Sequence, residues 1–359
     1  MASQGNLIYD TNTLIQVVPN LLRAQSFLLD TFFPNIVTSD SEFVSIDVDV
    51  GARRMSPFVS PLVEGKLVEQ RRIQTNTFKP AYIKDKRAPD LRKPIRRMIG
   101  ERIGGDMTGA EREMANLEFE MTDQIDMLTR RLEWMAAQVL TTGTVTVAGE
   151  GFPTQLIDFG RSPLLTIGLG TGVGSWGYAP GFNADGRDLV PVTSIETWQH
   201  TILKLSGANA TDILFTTTPW LKFLNAEGVQ GAVYYPKLGD FGNRMNVGPM
   251  IKPGAAYKGK WGQYDLWLYN DWFVDEDNVL QPMIVDGTVV MSGPDLLGTR
   301  AFGQILDPAF NYEALPYAPK TWIEQDPAQR FLLMQSSPVV VPSRVNAALA
   351  ATVCAGTIN

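Results

Sequence analysis

The residues that carry most enzyme chemistry are scarce in this chain. Its 359 residues include one histidine, His200, and one cysteine, Cys354. A single cysteine excludes an intrachain disulfide and a cysteine-built metal cluster, which fits a reducing compartment. His200 falls on the polar side of an expected helix and Cys354 lies near the chain end, so no Cys–His pair is drawn; no serine sits in a G-x-S-x-G elbow. The longest uncharged stretch, residues 162–184, is broken by glycine and proline and does not read as a membrane helix. The first basic residue is Arg23, so the amino terminus lacks the charged start of a secretory signal. The expectation is a soluble, intracellular protein.

Positive charge is also short. Lysine and arginine number 31 against 38 acids, a net charge of −7 with a pI near 5.0. A dedicated duplex-DNA binder would draw its affinity from many cations on phosphates, so that class is disfavoured. What the chain does have is 44% hydrophobic and 19% charged residues, enough for a packed core. Its 23 prolines and 32 glycines point to a β-rich, loop-rich protein. The length allows two core-bearing units, or one with extensions.

Residues 1–40 show no strong period, although the apolar stretch 21–33 suits a short helix lying against something. Residues 42–50 alternate: Val44, Ile46, Val48 and Val50 face one way, Ser45, Asp47 and Asp49 the other. That is a half-buried strand. Residues 52–102 differ from their surroundings. They hold 14 basic and 5 acidic residues, a net of +9, which leaves −16 on the rest of the chain. With strand-like runs around Leu67, Val68 and Ile73 and few residues for a core of its own, the segment reads as a long two-stranded arm. Such a hairpin is marginal alone in water and needs a neighbour; a solvated basic loop is the alternative. Arg53, Arg54, Lys66, Arg71, Arg72, Lys79 and Lys84 are its candidate contact residues.

Thr108 followed by Glu111 is a capping box that opens a helix expected over 111–140 and ending before Gly143. Met114, Leu117, Met121, Ile125, Leu128, Leu132, Met135 and Val139 recur at steps of three and four, one buried stripe. Glu113, Glu118, Glu120, Asp123, Asp126, Arg130, Arg131 and Glu133 are expected on the wet face. At 1.5 Å per residue this helix runs about 45 Å. Strand-like sequence at 144–147 and 156–159 favours a spine for a sheet over a coiled coil.

Residues 193–300 read as an α/β unit. Thr193 and Glu196 form a second capping box, Ile195, Trp198, Ile202 and Leu205 share a face, and Gly207 is the stop. A strand at 212–216, a helix from Thr218 and Pro219 to Gly228, a glycine-rich loop at about 228–254, and strands at 264–269 and 283–291 follow. Residues 322–341 return to strand character.

Gly172, Gly174 and Gly177 match G-x-G-x-x-G, but Tyr178, Pro180, Gly181 and Asn183 continue as loop where a dinucleotide site needs a helix. Asp271, Asp275, Glu276 and Asp277 suit either a hard cation or a solvated loop. Asn209-Ala210-Thr211 is an acceptor motif without a secretory context. No catalytic, cofactor or metal residue is assigned.

The order of parts resembles the fold shared by tailed-phage capsid proteins, and particular stretches resemble the lambda-like major capsid protein family (the major capsid protein E family). These are Ser60-Pro61-Leu62-Val63-Glu64-Gly65, Phe78-Lys79-Pro80-Ala81-Tyr82-Ile83-Lys84, Asp158-Phe159-Gly160-Arg161-Ser162, Tyr257-Lys258-Gly259, Pro319-Lys320-Thr321-Trp322, Asp326-Pro327 and Gln335-Ser336-Ser337-Pro338. They occur in the family's order from about residue 20 to 341; residues 182–192 and 229–252 depart from its pattern. The resemblance implies an α+β chain. Its parts would be an N-terminal arm (1–40), a peripheral-domain strand (41–51), an extended loop (52–102), a peripheral domain with spine helix (103–192), an axial domain (193–300) and peripheral return strands with the tail (301–359).

It also implies self-assembly as hexamers and pentamers into an icosahedral shell. That shell would enclose double-stranded DNA without sequence-specific binding and mature by rigid-body rearrangement. Scaffold, portal and decoration proteins would be partners, no cofactor or membrane would be involved, and the chain would sit in the virion capsid after assembly in the host cytoplasm. An encapsulin-like cargo compartment is the alternative in the same fold. A nucleotide- or metal-dependent enzyme using the 168–177 loop is the alternative from another class.

Overall fold

The computed structural model describes residues 26–49, 55–68, 73–89, 108–149, 152–169, 175–177, 190–226, 229, 251–252, 254–275, 277–326 and 328–356. The described α-helices are α1 (Phe27–Phe32), α2 (Gly109–Thr142), α3 (Val190–Ser206) and α4 (Thr217–Asn225).

The long helix α2 forms for the local reasons its sequence carries. The Thr108 hydroxyl accepts from the Glu111 amide at 3.3 Å, and the Glu111 carboxylate accepts from the Thr108 amide at 2.6 Å. These bonds hold the Glu111 carboxyl below its ordinary range. At the other end Gly143 takes φ +75°, a left-handed stop that glycine adopts without strain. The helix thus extends two residues past each expected end.

Leu117, Met121, Ile125, Leu128, Leu132, Met135 and Val139 are buried, but two expectations fail. Met114 is 42% exposed, because the upper cluster of Leu117, Met121, Ile125 and Leu128 with Leu332 and Met334 begins one turn after it. Glu133, expected on the wet face, is 1% exposed. Ile125→Ala should therefore cost about 2–5 kcal/mol of unfolding free energy, and Met114→Ala no more than about 0.5 kcal/mol, in urea denaturation of the unassembled chain.

Below that cluster α2 meets the main core. A seven-stranded sheet runs Thr166–Gly168, Leu349–Thr352, Thr288–Ser292, Asp212–Phe215, Tyr264–Tyr269, Ala255–Trp261, Ile251–Lys252. Asp212–Phe215 and Tyr264–Tyr269 are parallel, and Thr288–Ser292 is antiparallel to both of its neighbours. This sheet corrects the boundaries at 193 and 300. Leu349–Thr352, expected with the tail, lies inside the sheet, and Thr166–Gly168 forms one edge. Leu349 and the small Ala350 and Ala351 are buried there.

Other boundaries shift for identifiable reasons. Thr193 does not cap α3, which starts at Val190; Pro191 sits in its first turn, where a missing N–H costs nothing. The helix α4 begins after Thr216 and ends before Gly228. Of the strand expected at 283–291 only the end forms, within Thr288–Ser292; the shorter strand Leu280–Pro282, just before that range, pairs with Trp272–Val274. Gly287, immediately before Thr288, turns with φ +96°.

Residues 1–40 are not all arm. Residues 1–25 lie outside the described residues, but Phe27, Leu28, Leu29, Phe32 and Phe33 are buried in the main core. Asn35–Thr38 then pairs in parallel with Gly298–Phe302, itself antiparallel to Pro338–Pro342. Gly298 packs so closely on the Phe32 carbonyl and the Phe33 ring that a Cβ would collide with both.

Candidate assembly interface

Residues 55–68 are exposed along their whole length. The most exposed of its large apolar side chains are Met55 (88% exposed), Phe58 (102%), Leu62 (94%) and Leu67 (98%). So much uncovered apolar side chain in one loop marks an interaction surface rather than ordinary surface scatter.

The base of this loop is held firmly. Val44–Asp49 runs antiparallel to Ile73–Phe78, from the Val44–Phe78 pair to the Asp49–Ile73 pair. Lys79 closes that end with an ion pair to Glu42 at 2.9 Å and lies 5.9 Å from the Phe43 ring centre. The return strand Ile83–Arg87 then joins the sheet formed by Ala318–Gln325 and Ala328–Ser336. Arg87 reaches Asp85 at 3.2 Å and, on α2, Glu120 at 3.0 Å and Asp123 at 2.7 Å. Gln124 donates to the Asp85 carbonyl at 3.0 Å, so the return strand is tied to the spine helix over adjacent turns.

Tyr82 is the second anchor. Its hydroxyl donates to Gln335 Oε1 at 2.9 Å and accepts from the Leu306 amide at 3.1 Å. Gln335 Nε2 in turn donates to Asp307, which also accepts from Lys320 Nζ at 2.7 Å. Burial opposes ionisation of Asp307, but the Lys320 ammonium, the Ala309 amide and the Gln335 amide outweigh it and hold its carboxyl below the usual range. Burial pushes the Tyr82 hydroxyl up.

Of the candidate contact residues, Arg53, Arg54, Arg71 and Arg72 lie outside the described residues. Lys66 is exposed within the apolar loop. Lys79 and Lys84 stand at the base with partners in their own chain; Lys84 lies 5.1 Å from the Tyr82 ring centre. The basic residues are legible in the sequence, whereas Met55, Phe58 and Leu62 follow no period among prolines and serines. Two further residues have roles that the sequence does not signal. Arg161 donates to the Leu140 carbonyl at 2.7 Å and to that of Thr141, capping α2, and Glu133 is buried without a cationic partner among the described residues.

The alternative chemistries gain no support in the described residues. Gly172 and Gly174 lie outside them. The Asp275 carboxylate accepts from the amides of Asp277 at 3.0 Å and Val279 at 2.8 Å, which makes it a turn former. Among the described residues no group of three or more His, Cys, Asp or Glu side chains could hold a metal ion, and no helix is long and apolar enough to cross a membrane. His200 is exposed. Burial pushes the Cys354 thiol up to about 11, away from nucleophilic use. A cleft of 210 Å³ lies among Thr216, Asp271, Trp272 and Asp286, but Asp286 is engaged at the start of α4 by the Thr218 amide and hydroxyl.

A family model described as phage major capsid protein E matches residues 10–353. The major capsid proteins of Escherichia phage N15 and Escherichia phage lambda are each 25% identical to the chain over 341 residues, covering 93% of it and 96% of the relative. Among solved structures, one described as the capsid protein of an E. coli CFT073 prophage aligns with a TM-score of 0.73 at 21% identity, covering 96% of this chain and 99% of that one.

Proposed function

Because the chain belongs to the phage major capsid protein E family, we propose that it closes its shell by laying the loop at 52–102 across a neighbouring copy. The chain is a major capsid protein with the tailed-phage capsid fold, and its place is the virion shell, built from copies of itself. The work it does is assembly and not catalysis.

The observation that carries the loop's role is the uncovered apolar set Met55, Phe58, Leu62 and Leu67, held out from a base that is fastened to α2. In this reading α2 is the spine of a peripheral domain, and the seven-stranded sheet with α3 and α4 is the axial domain at the centres of hexamers and pentamers. The +9 segment meets the acidic body of the next copy, so charge sets orientation and register while the apolar residues supply affinity. Many such contacts act together in a closed shell. The net negative body lets double-stranded DNA move inside without adhering. A scaffold, a portal and a decoration protein act with the shell, which matures by rigid-body rotation of subunits.

The charge part of this proposal is tested by Arg71→Glu with Arg72→Glu. The expected result is a folded monomer, by circular dichroism, that forms no shells in electron micrographs at low salt and recovers some as added salt weakens the repulsion. Normal shells at every salt concentration would remove the basic segment from the interface.

A further inference from the structure

The strand Asn35–Thr38 is the edge of its sheet, with Gly298–Phe302 on one side and, among the described residues, no strand on the other. All of its residues are exposed. Ile36 is 55% exposed and Val37 50%, and successive residues point to opposite faces, so the strand is uncovered above and below. The Ser39 amide donates to the Phe302 carbonyl at 2.8 Å. By the alternation of a strand, Asn35 and Val37 turn their backbone groups to that same side, and Ile36 and Thr38 turn theirs outwards. Those outward N–H and C=O groups have no protein partner among the described residues.

Folded proteins normally guard such an edge with a charge, a proline, a bulge or a covering loop. Here no charged residue stands between Asp30 and Asp40, and Pro34 precedes the strand instead of interrupting it. Ile36, Val37 and Thr38 are β-branched, the side chains that favour a strand. The chain then runs through Ser39–Phe43 to Val44–Asp49, the base of the loop at 52–102. That link is short and held, the Ser39 hydroxyl donating to the Phe43 carbonyl at 3.2 Å. The bare edge is thus joined directly to the part of the chain proposed to meet a neighbouring copy.

We propose that Asn35–Thr38 pairs antiparallel with the same strand of a second copy, across a twofold axis at Val37. Strict twofold pairing places one residue opposite itself. Centred on Ile36, it would set Pro34 opposite Thr38, and proline has no N–H to give. Centred on Thr38, it would set Ile36 opposite Asp40, whose carbonyl already accepts from Gln304 at 2.8 Å. Centred on Val37, it sets Ile36 opposite Thr38 of the partner subunit, and every outward N–H and C=O of those residues is matched. Val37 then meets its own copy on one face while Ile36 meets Thr38 on the other, β-branched against β-branched, with no like charges opposed. In the shell of hexamers and pentamers proposed above, neighbours within a ring are related by the ring's own axis, so a twofold contact links one ring to the next. So short a contact buries too little for a stable dimer of free chains, which needs roughly 1,000 Å² or more. It forms where the shell already holds the copies together. The pairing goes beyond the loop's role and takes from the family only that the shell is built from copies of the chain.

Cysteine cross-linking in shells assembled from the full-length chain tests this. The native Cys354 is buried, so a bond formed on mild oxidation reports the introduced residue. Val37→Cys stands opposite itself at a non-hydrogen-bonded position, where the two Cα atoms come within disulfide reach. It should give covalent dimer on non-reducing gels, about tenfold or more above Ile36→Cys, which faces Thr38 instead. Equal bands from the two, or monomer alone from Val37→Cys shells, overturn the pairing. If Val37→Cys forms no shells, Thr38→Pro decides. The Thr38 N–H points outwards, so the unassembled Thr38→Pro chain should melt as the wild type does. Each contact then loses an outward donor on both sides, and shell yield should fall by about tenfold or more. An undiminished yield overturns the pairing. Both readouts stand apart from the loop: shells that survive Phe58→Asp with Leu62→Asp would remove the loop contact and leave the Val37→Cys result unaffected.

Discussion

Phe58→Asp combined with Leu62→Asp will leave the melting temperature of the unassembled chain unchanged and will stop shells from forming. Both side chains are fully exposed, 102% and 94%, so the monomer loses no packing when they go. In the assembled state each would be buried against the neighbour, and burying a large apolar side chain is worth about 1.5–3 kcal/mol. The pair therefore contributes about 3–6 kcal/mol per contact, or about two to four orders of magnitude in the contact's equilibrium constant. Ordering the loop offsets part of this, which leaves little surplus once the pair is removed.

In the proposed arrangement every subunit makes the same contact, so the loss recurs around the shell and is not diluted. One measurement separates this variant from the Arg71, Arg72 charge reversal. Sedimentation should show only monomer or isolated capsomers at any salt concentration, whereas the charge-reversed chain should respond to salt. Wild-type shells from the Phe58, Leu62 double variant would mean that the loop's apolar residues face solvent in the particle too.

What could be foreseen follows how local each cause is. The spine helix was legible because its signals lie within a few residues of one another: the Thr108–Glu111 box, the three-and-four spacing from Leu117 to Val139, and the glycine stop at 143. The ladder at the loop's base was half legible, since Val44 to Asp49 alternate while their partners at Ile73–Phe78 do not.

The strand Leu349–Thr352 gave no warning. Alanine has low strand propensity, and these residues are a strand because the sheet and α2 enclose them. Glu133 was misplaced for the same reason. Its wet-face position was a fair inference from one helix, and its burial depends on amides 104 and 105 residues before it and a phenol 136 residues after it. Met114 erred the other way, because the stripe continues in sequence beyond the elements that cover it. As for the interface, composition exposed the basic segment, but Phe58 and Leu62 follow no period, and only their exposure in the fold singles them out.

Arg161→Met should cost about 2–4 kcal/mol of unfolding free energy, the largest loss expected from any residue outside the apolar core. The guanidinium donates to the Leu140 carbonyl at 2.7 Å, to the Thr141 carbonyl, and to the Thr166 hydroxyl at 2.6 Å. Those two carbonyls belong to the last turn of α2, where no further helix amide is available and the helix dipole favours a cation. Burial lowers the Arg161 pKa to about 10, and no carboxylate pairs with it among the described residues. Its partners are therefore the two backbone oxygens and the Thr166 hydroxyl.

Methionine keeps most of the stem's packing and removes the donors, so the loss reports hydrogen bonding to a charged group, about 1.5–3 kcal/mol, and the carbonyls left uncapped. Lysine should recover only part of it, since one ammonium cannot reproduce the two-pronged reach to successive carbonyls and Thr166. Gly143→Ala probes the same joint from the other side. Its φ of +75° disfavours a side chain, and a Cβ there would lie 2.7 Å from the Arg161 Cβ, so alanine must displace the capping arginine. If the two changes act on one joint, the double variant will cost less than the sum of the singles in urea denaturation of the monomer. An Arg161→Met chain within about 0.5 kcal/mol of wild type would mean that water caps the spine helix equally well, and that the Asp158 to Ser162 stretch serves some other purpose.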